Sequence, residues 1–321
     1  MKKNIKGNVL ETTLVIVVPC FNEVDVLPET NKQLLLLLQQ LQDQKIVSTN
    51  SSIHYIDDGS HDGMWKYITE QALLDSRVHG IKLSRNYGHQ SALMAGLLTV
   101  EGDVVISIDA DLQDDISVIV DMLAAYHNGN DIVYGARKER KTDTIFKRFT
   151  AELFYKFLKL MNVDVIYNHA DYRLMSRKAL NALKEFKEVN LFLRGIIPYI
   201  GLPSTIVYYD RNERFSGISK YPLRKMISLA INGITSFSAF PLRMIALLGL
   251  IIFIFSLVMS LWVIWVRFIA GDAIPGWTSS VLPMYFLGGI QLFSIGLIGE
   301  YISKIYIEIK RRPRFIIEEI V

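Results

Sequence analysis

Two closely spaced acidic clusters hold the residues best suited to chemistry. Asp109-Ala110-Asp111-Leu112-Gln113-Asp114 follows the apolar run Val104-Val105-Ile106-Ser107-Ile108, and Asp57-Asp58-Gly59-Ser60 follows Ser52-Ile53-His54-Tyr55-Ile56. A buried strand that stops in carboxylates delivers them to the carboxyl edge of a sheet, where open α/β folds bind ligands. Carboxylates at i and i+2 with an amide at i+4 can hold a hard divalent cation against a diphosphate. That is the chemistry of transfer from a nucleotide-linked donor. Aspartate also forms turns and caps helices, so one cluster is ambiguous, and Asp114 and Asp115 are placed to cap a helix near Ser117. A second acidic strand end at the same edge tips the balance toward a site.

The elements that must position these residues are legible in the hydrophobic pattern. Strands are expected at residues 14–18, 53–57, 78–83, 104–108, 132–135, 172–175 and 204–209, and helices at 23–41, 64–74, 89–101, 117–128 and 144–161. Their order predicts an α/β fold with a mostly parallel, right-handed sheet and helices on both faces. The five consecutive leucines at 34–38 read as a well-buried helix. No glycine-rich dinucleotide fingerprint and no phosphate loop with its lysine stands at a strand-to-helix junction, which argues against a dehydrogenase or a nucleotide-hydrolysing motor. The single Cys20 excludes an internal disulfide and fits a reducing compartment. The run 14–18 behind Lys2 and Lys3 is too short for a signal peptide and lacks a small-residue cleavage site.

Half of the 321 residues are hydrophobic, and the mean hydropathy of +0.26 is high for a soluble enzyme. The excess lies after about residue 242. Residues 244–266 carry no charge and reach about 35 Å as a helix; residues 273–299 form a second uncharged run, broken near its start by Pro275 and Pro283. Both are long enough to span a bilayer, so a C-terminal two-helix transmembrane hairpin is expected at about 243–267 and 279–303. Lys220, Arg224, Lys225 and Arg243 precede it, Lys304, Lys310, Arg311, Arg312 and Arg314 follow it, and only Arg267 lies between. The positive-inside rule then puts the catalytic domain and both termini in the cytoplasm, on the inner membrane. Trp262, Trp265, Trp277 and Tyr285 gather toward the hairpin end like an aromatic belt. The expected division is a catalytic domain at 1–221, an interfacial juxtamembrane region at 222–241, two spans within 242–306 and a basic cytoplasmic tail at 307–321. A net charge of +3 gives no reason to expect nucleic acid. Gly288, Gly289, Gly296 and Gly299 allow close packing either within the hairpin or in a homo-oligomer.

Four motifs then fall in order: Pro19-Cys20-Phe21-Asn22-Glu23, Asp57-Asp58-Gly59-Ser60-His61-Asp62, Ser84-Arg85-Asn86-Tyr87-Gly88-His89-Gln90 and Asp109-Ala110-Asp111-Leu112-Gln113-Asp114. With the two spans, the chain resembles the polyprenyl-phosphate glycosyltransferases of family 2, which have a GT-A fold and include bactoprenol glucosyltransferases and relatives of dolichyl-phosphate mannose synthase. The resemblance implies that Pro19, Asn22, Glu23, Asp57 and Asp58 line a nucleotide pocket, with Arg85, His89 and Asp109 on the donor side. It also implies that Asp109, Asp111 and Gln113 hold Mg²⁺ or Mn²⁺ across the donor phosphates. Asp115 stands where many relatives carry proline.

Asp171, in His169-Ala170-Asp171-Tyr172-Arg173, matches the family's acidic residue near the acceptor, so Asp171 and Asp111 are the implied catalytic pair. A carboxylate there serves as general base toward a hydroxyl. Toward a phosphate monoester, already dianionic with a second pKa near ~6, it has only to orient. Arg211, Arg214, Ser219 and Lys220, with Gly217 between, form an implied phosphate clamp just before the first span, where arginine forks and a lysine point charge suit phosphate. The positive-inside flank competes for the same lysine.

The implied reaction is inverting transfer of glucose from UDP-glucose to a polyprenyl phosphate such as undecaprenyl phosphate, with membrane lipids as the setting. The alternatives are the same chemistry with a UDP-aminoarabinose derivative or GDP-mannose, a polysaccharide synthase, whose Gln-Xaa-Xaa-Arg-Trp motif is absent, or a non-catalytic scaffold.

Overall fold

The computed structural model describes residues 12–137, 169–189, 191–210 and 277–321, and isolated helical positions from 242 to 258. The chain divides into two units: Met1–Tyr155 with Asp164–Pro222 and Arg312–Val321, and Lys156–Val163 with Leu223–Arg311.

The first unit is built on β1 (Leu14–Cys20), whose seven residues are all buried. A strand with no polar face needs cover on both sides, which is the rule for parallel sheets. β2 (Ser52–Asp57), β3 (Val78–Leu83) and β4 (Val104–Ser107) extend it in parallel, in the order β4-β1-β2-β3. β5 (Ile132–Arg137) and β7 (Ser204–Tyr209) are parallel to each other. β6 (His169–Ser176) runs antiparallel between β4 and β5, and β8 (Ile317–Ile320) runs antiparallel on β3. The full order is β7-β5-β6-β4-β1-β2-β3-β8, mostly parallel in its central part as expected.

Six helices of this unit are described: α1 (Leu27–Asp43), α2 (Met64–Leu74), α3 (His89–Thr99), α4 (Val118–His127), α5 (Arg177–Lys184) and α6 (Leu193–Tyr199). Ile16 of β1 joins Leu34 and Leu38 of α1 and Ile68 of α2 in one core cluster. Val17, its neighbour, points the other way, since side chains alternate across a strand, and there it meets α3. A Cβ at Gly96 would lie 2.5 Å from Val17 Cγ1, so glycine is what lets α3 come this close. Of the leucines at 34–38, only Leu34 and Leu38 are buried, while Leu36 is 55% exposed. A helix lying on a sheet buries a stripe, so the helix expected to be well buried is buried on one face only.

The direction of β6 positions the site. Ser107 pairs with Arg173, and two residues closer to the carboxyl edge stand Asp109, just after β4, and Asp171, near the start of β6. A parallel strand would have left Asp171 at the opposite edge.

Residues 307–321, expected as a basic tail, divide differently. Helix α7 (Trp277–Lys310) runs to Lys310, and residues 317–320 form the edge strand β8. Trp65 Nε1 of α2 donates to Glu319 Oε2 at 3.0 Å and Lys82 Nζ of β3 lies 3.2 Å from Glu318 Oε1, so a helix and a strand both fasten this short segment.

In the second unit α7 is 34 residues long with Pro283 inside it, and it exposes Met284, Ile295, Ile302 and Ile305. Among the described residues no helix is long and apolar enough to cross a membrane. The expected span at about 279–303 lies within α7, whereas most of the one at about 243–267, the juxtamembrane region 222–241 and the helix at 144–161 fall outside the described residues.

Candidate active site

β4 ends at Ser107, and the loop beyond it is fastened at both ends. Thr30 Oγ1 of α1 donates to the Ala110 carbonyl at 2.7 Å. On the far side Asp114 Oδ1 accepts from Tyr209 Oη at 2.5 Å and from Arg137 Nη2 at 3.2 Å, and Tyr172 Oη donates to the Asp115 carbonyl at 3.1 Å. Between the fastenings Leu112 has φ of +54°, a left-handed conformation that costs a residue with a Cβ roughly 1–2 kcal/mol. Asp111 Oδ1 accepts from the Gln113 backbone N–H at 3.2 Å.

This loop opens on a cavity of about 350 Å³ at the carboxyl edge of β1, β2 and β4. Of the residues predicted from the sequence, Pro19, Glu23, Asp58, His89, Asp109, Asp111 and Asp171 line it. His89 Nε2 stands 3.7 Å from Asp109 Oδ1 and 3.5 Å from Asp171 Oδ2, bridging the two strand ends.

Carboxylates this close cannot all ionise freely. Burial raises the Glu23 carboxyl, and the charges of Asp111 and Asp109 push it further, to about 7. Asp109 lines the cavity with a side chain 38% exposed. Burial raises it first; His89 opposes, Asp171, Asp114 and Asp111 add, and it reaches about 6. Burial disfavours the His89 imidazolium, but the hydrogen bond to Asp171 and the charge of Asp109 outweigh that and hold its pKa at about 9. Asp171 behaves oppositely to Asp109. Burial would raise its carboxyl, but Arg194, His89 and Arg173 more than offset this and hold it well below the ordinary carboxylate range.

At the end of β2 the acids are tied into the backbone. Asp58 accepts from the Tyr87 and Gly88 N–H groups at 2.7 and 2.9 Å, joining β2 to the β3–α3 loop. Gly59, with φ of +73°, lets that loop in: a Cβ there would lie 2.6 Å from the Arg85 carbonyl carbon. Asp57 is fully buried and accepts from the Ser60 N–H at 2.9 Å.

Four predicted residues therefore do not line the cavity, each for a local reason. Asp57 points into the core, opposite its neighbour Asp58. Asn22 accepts from the His61 N–H at 2.9 Å and shapes the loop between β2 and α2. Arg85 stacks over the Tyr87 ring at 4.2 Å. Gln113 is buried. The expected clamp residues Arg211, Arg214, Ser219 and Lys220 lie outside the described residues.

The structure adds two cations that the sequence pattern did not flag. Arg194 of α6 lines the cavity and donates to Asp171 from Nη2 at 3.2 Å and Nε at 3.4 Å. Its signal was faint, a lone cation in the apolar run 191–200. Arg173 is fully buried beside Asp171, 3.9 Å from Oδ1, and none of its three side-chain nitrogens has a hydrogen-bond partner.

Among the described residues no group of three His, Cys, Asp or Glu side chains could hold a metal ion unaided. Mg²⁺ needs no such cage, because it takes one or two carboxylates and completes its shell with substrate phosphates and water. Asp109 and Asp111 offer that hard oxygen pair, and their crowding with Glu23 is a repulsion that a dication relieves, so the residues present fit Mg²⁺ or Mn²⁺.

The chain matches the model of Glycosyl transferase family 2 over residues 15–184 and that of the GtrB C-terminal hairpin over residues 240–305. It is 49% identical over 310 residues to the uncharacterized glycosyltransferase YkoT of Bacillus subtilis (strain 168), covering 96% of this chain and 92% of that protein. It is 40% identical over 305 residues to the bactoprenol glucosyl transferase of Shigella phage SfII, covering 95% and 97% respectively. Among solved structures, mannosyl-3-phosphoglycerate synthase from Rubrobacter xylanophilus aligns with a TM-score of 0.48 at 17% identity, over 73% of this chain and 74% of that one.

Proposed function

The chain belongs to the family 2 glycosyltransferases, and on that premise we propose that it transfers glucose from UDP-glucose to the phosphate of a membrane polyprenol such as undecaprenyl phosphate, inverting the anomeric centre. The observation that carries this reading is the gathering of Glu23, Asp58, Asp109, Asp111 and Asp171 around one cavity with His89 and Arg194. The 40% identity to proteins named bactoprenol glucosyl transferase supports both the sugar and the acceptor.

Each residue has a task its surroundings allow. An ionised carboxylate only accepts hydrogen bonds, so Asp58, and Glu23 once a bound dication relieves its crowding, suit ribose hydroxyls or a pyrimidine imide. Asp109 and Asp111 would hold Mg²⁺ or Mn²⁺, which when bound neutralises charge on the departing diphosphate. An acceptor phosphate oxygen attacks the anomeric carbon, the bond to the nucleoside diphosphate breaks, and the electron pair leaves with the diphosphate. No proton need be removed, because the phosphate is already dianionic. Asp171, held ionised by Arg194, His89 and Arg173, is too weak a base to be needed as one. It orients the sugar or acceptor, while Arg211, Arg214, Ser219 and Lys220 grip the lipid phosphate.

The acceptor hardly leaves the bilayer, so the enzyme has to work at its surface. The hairpin match at 240–305, the uncharged runs and the exposed isoleucines of α7 support spans at about 243–267 and 279–303, with the catalytic unit on the cytoplasmic side.

The test is transfer of radiolabel from a panel of UDP- and GDP-sugars into extractable lipid by the full chain with undecaprenyl phosphate and Mn²⁺ or Mg²⁺. Metal-dependent label from UDP-glucose alone is expected. Label from GDP-mannose or a UDP-aminopentose instead overturns the sugar, and label from no donor overturns the reaction.

A further inference from the structure

We propose that Asp114, held by Tyr209 and Arg137, is a positioning residue that keeps the loop 109–115 bent so that Asp111 faces the cavity. The inference rests on the reading of Asp111 as a ligand of the donor's metal and adds to it the device that aims that ligand.

Leu112 is the reason a device is needed. Its φ of +54° is a conformation in which Cβ crowds the backbone, and free turns put glycine or asparagine at such positions. A leucine stays there only when its surroundings impose the bend. The restraint is visible on each side: Thr30 holds the Ala110 carbonyl, and Asp114 is held by Tyr209 and Arg137. Arg137 and Tyr209 end β5 and β7 and are register partners, so the clamp is made from two strand ends that are themselves fixed.

Asp114 neither caps α4 nor lines the cavity. The turn into α4 is held by Asp115, whose Oδ1 accepts from the N–H of the N-cap residue Ser117 at 2.9 Å. The Asp114 side chain is 1% exposed, and neither it, Tyr209 nor Arg137 lines the cavity. Its charge reaches Asp109 through space, but its hold on Asp111, three residues away, passes through the backbone.

The test uses the full chain in detergent, comparing Tyr209→Phe and Asp114→Asn, each with and without Leu112→Gly, which adopts the left-handed bend without the steric cost. Two readouts are taken: hydrogen exchange of the loop amides without metal, and Mn²⁺ binding by electron paramagnetic resonance with UDP present. Each single variant should speed loop exchange and raise the Mn²⁺ half-saturation concentration roughly ten-fold. Leu112→Gly should bring the half-saturation concentration back to within about three-fold of the parent. Unchanged exchange in Tyr209→Phe, or failure of Leu112→Gly to restore binding, overturns the clamp. If exchange responds as expected but the parent binds no Mn²⁺, the clamp stands and the metal assignment falls.

Discussion

The ends of β2 and β4 look alike in sequence, two apolar strands that stop in aspartates, yet the structure holds them differently. At β2 the acids satisfy backbone donors. Asp58 takes two N–H groups while still lining the cavity, and Asp57 takes one through Oδ1 and leaves its buried Oδ2 without a hydrogen-bond partner, so both hold loops together. At β4 Asp109 and Asp111 face a cavity shared with Glu23, where each raises the Glu23 carboxyl. A carboxylate tied to backbone donors holds the fold together, and one crowded by like charge favours a bound cation. The pairing, not the residue type, tells the two apart.

Three substitutions put that contrast at risk. Asp111→Asn should cut sugar transfer on the order of a thousand-fold, while the melting temperature holds or rises as a crowded charge is removed. Initial rates and thermal unfolding on one preparation decide it, and a large drop in melting temperature would erase the difference between the strand ends. Asp58→Asn should show the reverse emphasis. An amide cannot accept both backbone bonds as a carboxylate does, so about 1–3 kcal/mol of stability should be lost, measurable by chemical denaturation.

The smallest effect concerns Glu23 in metal-free buffer. Its carboxyl rises from 4.5 to about 7 on folding, so the folded state holds that proton more tightly. The associated stability is present below the unfolded value and is lost as pH rises through 7. Glu23→Gln should therefore melt a few degrees above the parent at pH 8, with the gap closing by pH 5. A gap that stays constant with pH would show that Glu23 is not crowded.

What could be read beforehand follows the same line. β1 to β4 were legible because a fully buried parallel strand writes a continuous apolar run, and the acids at its end mark the edge. Asp57 was indistinguishable from Asp58 because adjacent residues differ only in which way they point. Arg194 escaped notice because α6 is seven residues long with Pro198 inside it, too short for a helical period. That Asp171 belongs beside Asp109 depends on β6 running antiparallel, and strand direction leaves no mark in composition. β8 was hidden for a related reason: its partner β3 lies more than two hundred residues earlier, and four residues with two glutamates read as a tail.

That distance sets an order of birth. Trp65 and Glu319, which meet in the finished protein, are 254 residues apart, so during synthesis β3 stands as an open edge while everything between is made. An unpaired edge recruits other strands, and a contact this remote in sequence forms slowly. β8 is thus a lock that closes only on a chain translated past the whole second unit. A chain that stops before residue 317 leaves the edge of β3 bare.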